Sequence, residues 1–166
     1  LHPEKTRLIE FGRSAEQNRK KRGLGKPETF NFLGLTHMCG KSRKGRHLLL
    51  RHTVRQKMHA KLREVRTELG RRRHHSIPDV GKWLGAIVRG HTQYYGVPTN
   101  SKAIAAFRHQ IIDSWRRSLK RRSQRSKITW ERMDRYAKRW IPPARIVHPY
   151  PEDRLHVTTQ GKSRMR

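Results

Sequence analysis

From Val54 onward the apolar residues fall at intervals of three and four: Val54, Met58, Leu62, Val65 and Leu69 form one stripe. That spacing returns each side chain to the same face of a 3.6-residue helix, so the segment is committed to a helix with one buried face. Lys57, Lys61, Arg63 and Arg66 lie off the stripe. Gly70 and the run Arg71-Arg72-Arg73-His74-His75 close it. A second helix opens at Pro78 and Asp79 and carries Val80, Trp83, Leu84, Ile87 and Val88 towards Tyr94 and Tyr95. Gly96-Val97-Pro98-Thr99-Asn100-Ser101 then supplies a stop, a turn and an N-cap. A third helix carries Ile104, Phe107, Ile111, Trp115 and Leu119. A fourth, shorter one runs from Thr129 as N-cap to Trp140, with Glu131 and Asp134 near its positive end and Pro142-Pro143 stopping it. Striped helices of this kind must bury their stripes against one another, which calls for a bundle.

The first fifty residues carry a different pattern. Leu8-Ile9-Glu10-Phe11 reads as a short strand closed by Gly12, and Arg13 to Lys26 is polar, basic and Gly-punctuated, as a loop would be. Two β-prone runs, Phe30 to Leu35 and His47 to Leu50, flank a Gly-bounded basic stretch from Gly40 to Gly45, which predicts a β-hairpin. The expected class is therefore α+β, mainly α: a β-hairpin, a three-to-four-helix bundle and an irregular C-terminal tail. The corresponding segments are 1–52, 53–126 and 127–166. Trp83, Trp115, Trp130 and Trp140 fall within the periodic segments, where core anchors belong. Leu1-His2-Pro3-Glu4-Lys5 reads as the middle of a longer product.

Composition decides the class of partner. The 166 residues hold 41 Lys and Arg against 12 Asp and Glu, a net charge of +29. Such an excess repels itself in a compact chain, so a polyanion is the expected partner, nucleic acid first and an anionic membrane surface second. No run approaches the roughly 20 apolar residues of a membrane span, and the expected location is cytoplasmic. The cations gather in four clusters: Arg19-Lys20-Lys21-Arg22 with Lys26; Lys41, Arg43, Lys44 and Arg46 at the hairpin tip; Arg71-Arg72-Arg73; and Arg116, Arg117, Lys120, Arg121, Arg122, Arg125 and Lys127. Any one cluster could be a solvated face; four with so few compensating acids point to phosphate contacts, which position a ligand without reading its sequence. Tyr94 and Tyr95, near Arg89, His91 and Gln93, are candidates for stacking on unpaired bases, or else one ring fills the core and the other packs a helix end.

Other chemistries find no footing. The lone Cys39 excludes an internal disulfide and has no partner at zinc spacing. None of the 11 His forms a His-Glu-x-x-His pattern, so no metal site is expected. The acids are scattered singly rather than clustered as Mg²⁺-dependent phosphoryl transfer requires. Gly23-Leu24-Gly25-Lys26 is too short for a phosphate loop. No catalytic residue is assigned, and this chain alone is not expected to catalyse.

Three stretches carry a resemblance to the C-terminal part of bacterial group II intron-encoded proteins, the reverse transcriptase–maturase family. Leu1-His2-Pro3-Glu4-Lys5-Thr6-Arg7-Leu8-Ile9-Glu10-Phe11-Gly12 resembles the block after the catalytic aspartates of the palm. Gly25-Lys26-Pro27-Glu28-Thr29-Phe30-Asn31-Phe32-Leu33-Gly34-Leu35-Thr36 resembles the primer-grip hairpin. Trp83 through Asn100, with Val88-Arg89-Gly90, Tyr94-Tyr95 and Val97-Pro98-Thr99-Asn100, resembles the maturase-specific thumb, domain X. The resemblance implies a palm remnant followed by a thumb that clamps structured intron RNA and the primer–template duplex, assisting folding and splicing. It matches Lys5 to a palm lysine near the incoming nucleotide's phosphates, and Phe32, Leu33 and Gly34 to the primer grip. The family's Tyr-x-Asp-Asp polymerase motif is missing here, so Mg²⁺ and catalysis would belong to an upstream fingers and palm part of the same protein. The competing reading is a general basic nucleic-acid scaffold with no intron specificity.

Overall fold

The computed structural model describes residues 6–123 and 127–150. The protein is α+β and mainly α, and it divides between Val54 and Arg55 into two compact units.

The first unit contains α1 (Ala15–Lys21) and strands β1 (Phe30–Phe32), β2 (Leu35–Lys41) and β3 (His47–Thr53) in one antiparallel sheet of order β1-β2-β3. The run Phe30 to Leu35, expected as one strand, is two. Leu33 and Gly34 both have positive φ, 48° and 74°, the backbone of a two-residue turn whose twist matches its flanking strands. The turn folds Phe32 against Leu35 and Phe30 against His37. Phe30 and the His37 imidazole then stack at 4.9 Å. The basic stretch expected as a hairpin tip does close β2 onto β3, through Gly45 N–H to the Ser42 carbonyl at 2.9 Å and Ser42 N–H to the Arg46 carbonyl at 2.8 Å.

Two further expectations fail in this unit. Leu8 to Phe11 is not a strand, because no described strand pairs with it. Instead the Phe11 ring meets Phe30 edge-on at 5.0 Å and Gly12 N–H approaches Cys39 Sγ at 3.4 Å, so the segment lies across one face of the sheet. Arg13 to Lys26 is not all loop, because it holds α1. Glu16 in the first turn and Arg19, Lys20 and Lys21 in the last complement the helix dipole. Gly23, at φ 67°, ends the helix with paired bonds, Leu24 N–H to the Arg19 carbonyl and Gly23 N–H to the Lys20 carbonyl. Burial is sparse here: Ala15, Leu35 and Thr53 are buried, while Leu48, Leu49 and Leu50 are only half-buried.

The second unit is built from α2 (Arg55–Arg71), α3 (Ile77–Tyr95), α4 (Ser101–Lys120) and α5 (Trp130–Trp140). The stripes meet as their spacing requires: Leu62, Val65 and Leu69 of α2, Val80, Leu84 and Val88 of α3, and Phe107, Ile111, Trp115 and Leu119 of α4 share one core. Helix α2 runs on through Gly70 to Arg71 instead of stopping at the glycine. Leu69 is buried, and Arg72 pairs back onto Glu68 at 2.7 Å. Thr129 caps α5 as expected, its Oγ1 accepting from Arg132 N–H, while α3 opens at Ile77 under a cap not expected from the sequence, Ser76, whose Oγ accepts from Asp79 N–H.

Helix α5 belongs to the same core through Met133 and Ala137, joined by Ile128 and Ile141. Its C-terminal end reaches α3 because residues 81 and 85 are glycines, one turn apart on one face. A methyl on Gly81 would lie 2.7 Å from the Trp140 ring, and one on Gly85 would run into the Trp140 carbonyl. Trp115 is fully buried and Trp83 and Trp140 are partly so, but Trp130 is 48% exposed, against the expectation that all four anchor the core. The irregular segment after α5 is tied to the end of α3 by Val147 N–H and His148 N–H, both to the Gly96 carbonyl.

Candidate nucleic-acid interface

The register of the helices in the second unit brings together cations that are far apart in sequence. Arg66 Nε donates to Ser114 Oγ at 3.3 Å, Ser118 Oγ to the Leu69 carbonyl at 3.3 Å, and Arg122 Nη2 to the His75 carbonyl at 2.8 Å. Each contact joins residues 47 to 49 apart, so α2 and α4 are parallel and end at the same level. Helix α3 starts there and returns. Arg71, Arg72 and Arg73 therefore sit beside Lys120, Arg121 and Arg122 at one end of the bundle. Two of the four sequence clusters have become one patch. It caps two helix C-termini, whose partial negative charge favours cations.

Neutralisation within the patch is incomplete. Glu68 takes Arg72 at 2.7 Å and Arg71 at 3.5 Å. Asp113 takes Arg117 at 2.7 Å. Asp79 is engaged at its own cap, accepting from Ser76 Oγ at 2.6 Å. Among the described residues, Arg73, Lys120 and Arg121 have no carboxylate within ion-pair distance. Arg72 is also a packing residue, its guanidinium 4.9 Å from the Trp83 ring.

The cations of the first unit are more heavily used in holding it together. Arg19 donates to Glu28 at 3.3 Å and to the Gly25 carbonyl at 3.1 Å, Arg22 pairs with Glu10, and Lys41 with Glu16 at 2.9 Å. Arg7 also pairs with Glu28 and, by that hydrogen bond first, holds its carboxyl below the usual range. Arg19, Arg22 and Lys41 thus serve the local fold, which leaves Lys20, Lys21, Lys26, Arg43, Lys44 and Arg46 as the outward cations of those two clusters. Phe32 and Leu33 stand exposed at the tight turn, 59% and 65%, with Gly34 beside them. Lys5 and Arg125 lie outside the described residues.

Tyr94 and Tyr95 do not join the basic end. They close α3, which at 1.5 Å per residue is about 27 Å long, whereas the patch surrounds its beginning. Tyr94 is exposed, and Tyr95 is half-buried against His91 at 4.6 Å and Tyr94 at 4.7 Å. Burial, with a smaller contribution from Tyr94, raises the Tyr95 phenol. His91 lies flat on Phe107, centroids 3.6 Å apart, and burial pushes its imidazole down to about 4, so it is neutral at physiological pH. Arg89 is exposed on the same helix.

A feature unforeseen in the sequence is the Arg116–Trp130 pair, with the guanidinium carbon 4.0 Å from the ring centroid. The available signal was the position of Trp130 in the first turn of its helix, beyond the reach of a core centred on Met133 and Ala137. Among the described residues no group of three or more His, Cys, Asp or Glu side chains is placed to hold a metal ion. No described helix is long and apolar enough to cross a membrane. The chain matches no protein-family model, no curated protein and no solved structure.

Proposed function

We propose that this chain is the RNA-binding maturase and thumb portion of a group II intron-encoded protein. It grips structured RNA by its phosphates and assists intron folding and splicing. The observation that carries the reading is the patch at one end of the second unit, where Arg73, Lys120 and Arg121 are left without carboxylates among the described residues. A fixed array of cations on a rigid bundle engages successive phosphates at little ordering cost, and each phosphate neutralised releases counterions. The intron-specific part of the reading rests on the resemblance of residues 1–12, 25–36 and 83–100. In that role the chain works in the cytoplasm beside an upstream fingers and palm part, which would hold Mg²⁺ and the polymerase site and share the primer–template duplex.

Filter binding across a salt series tests both levels. Lys120→Glu with Arg121→Glu removes two outward cations, so the slope of log K against log salt becomes shallower by about 1.5. An unchanged slope in a folded double variant refutes the patch as the phosphate site. Equal affinity for structured intron RNA and for random duplex DNA refutes the intron-specific level and leaves a general scaffold.

A further inference from the structure

Trp130 is 48% exposed although Met133 and Ala137, further along the same helix, are fully buried. The core makes no use of most of this ring. What it meets comes from α4: the Arg116 guanidinium at 4.0 Å and, at 6.3 Å and within 14° of parallel, the His109 imidazole. Arg116 is held in place, its side chain only 18% exposed and its Nε buried without a hydrogen-bond partner. Its charge is poorly compensated, since Asp113 stands 3.9 Å away and is engaged by Arg117 at 2.7 Å. The Arg116 guanidinium lies over one face of the indole, so the part of the ring still open to solvent, backed by this immobilised planar cation, is what an unpaired base needs. Every base has a π-face to stack on an aromatic ring, and its flanking phosphate requires a nearby positive charge.

We propose that Trp130 and Arg116 form a stacking site for one unpaired nucleobase of an RNA strand whose phosphates follow α4 towards Lys120 and Arg121. The inference rests on the nucleic-acid reading above and adds a second mode to it, single-strand capture next to the phosphate patch. The distances suit it. Arg116 to Arg121 spans five helical residues, ~7.5 Å of rise, or about two nucleotides at roughly 3.4 Å per stacked step. Lys127 and Arg132, exposed and close to Trp130 in sequence, add positive charge against the acids Asp113 and Glu131.

The test compares a 12-nucleotide oligouridine with a blunt RNA duplex by fluorescence anisotropy, using the full chain at fixed salt. Trp130→Leu keeps apolar bulk but removes the π-face; Trp130→Phe keeps a smaller one. Trp130→Leu is expected to weaken oligouridine binding about tenfold, with duplex binding within twofold of the parent. Trp130→Phe retains most of the oligouridine affinity. If Trp130→Leu leaves oligouridine binding unchanged, or weakens both ligands equally, the stacking site is refuted and the ring merely ties α5 to α4. If the unmodified chain binds neither ligand, the nucleic-acid reading itself falls.

Discussion

Gly85 and Gly90 lie in one helix, and replacing each by alanine should move stability in opposite directions. At Gly90 an added methyl meets nothing within 4 Å. The substitution therefore gains only the helix preference of alanine over glycine, about 0.5–1 kcal/mol. At Gly85 the same gain is opposed, because the methyl would run into the carbonyl oxygen of Trp140, a backbone atom that cannot rotate aside. Two responses are open. Helix α5 can undock, exposing Met133 and Ile141, each at most 2% accessible; at about 1.5–3 kcal/mol per large side chain this costs roughly 3–6 kcal/mol. Or its C-terminal turn can shift, an overpacking strain of about 1–3 kcal/mol. The shift is cheaper and prevails. Taken near the top of that range and offset by the helix gain, it leaves Gly85→Ala destabilised by about 2 kcal/mol. With a slope near 2 kcal/mol per molar urea, the midpoint falls by about 1 M, while Gly90→Ala rises by roughly 0.4 M. Tryptophan emission reads this transition cleanly, because all four tryptophans lie beyond residue 54, within the second unit. Equal stabilisation by both substitutions would refute the tight α3–α5 contact, and with it the placement of Trp130 beside α4.

Three further outcomes follow from single contacts. Thr129→Ala removes the α5 cap and should cost about 1 kcal/mol, whereas Thr129→Ser should cost little; urea midpoints separate them. His91 is neutral in the fold with its pKa lowered to about 4, so the unfolded chain binds a proton first as pH falls below about 6.5. Stability from this group is complete above that value and declines down to about pH 4; in His91→Phe, which keeps a ring over Phe107, thermal melting between those limits should be less pH-dependent. Leu33 holds a positive φ with its side chain exposed, a conformation costing a branched residue about 1 kcal/mol. Leu33→Asn should relieve it and slow amide exchange across β1 and β2, and faster exchange would contradict the turn assignment.

The helices were legible because their signals are local. Spacing of apolar residues, the cap Thr129, and the proline stop after Trp140 all act within a few residues of where they stand. Helix α1 went unseen for the converse reason. Its seven residues have no apolar stripe, and Gly23, the clearest mark, reads equally as loop punctuation. The β1–β2 turn was hidden because Leu33 is an unusual residue at positive φ, where Asn or Gly would have announced a hairpin.

The sequence by itself determined that a basic, striped chain would form a helical bundle and a small sheet and would carry a large positive excess. Charge and periodicity are properties of the chain that no folding alters. Only the tertiary structure decided which cations act together. The parallel register of α2 and α4 sets Arg73 beside Lys120 and Arg121, while local ion pairs withdraw Arg19, Arg22 and Lys41. It likewise decided that Trp115 is core and Trp130 is surface, although both lie on helical stripes. Periodicity names the face of a helix, but burial at its ends depends on what the neighbouring helices reach.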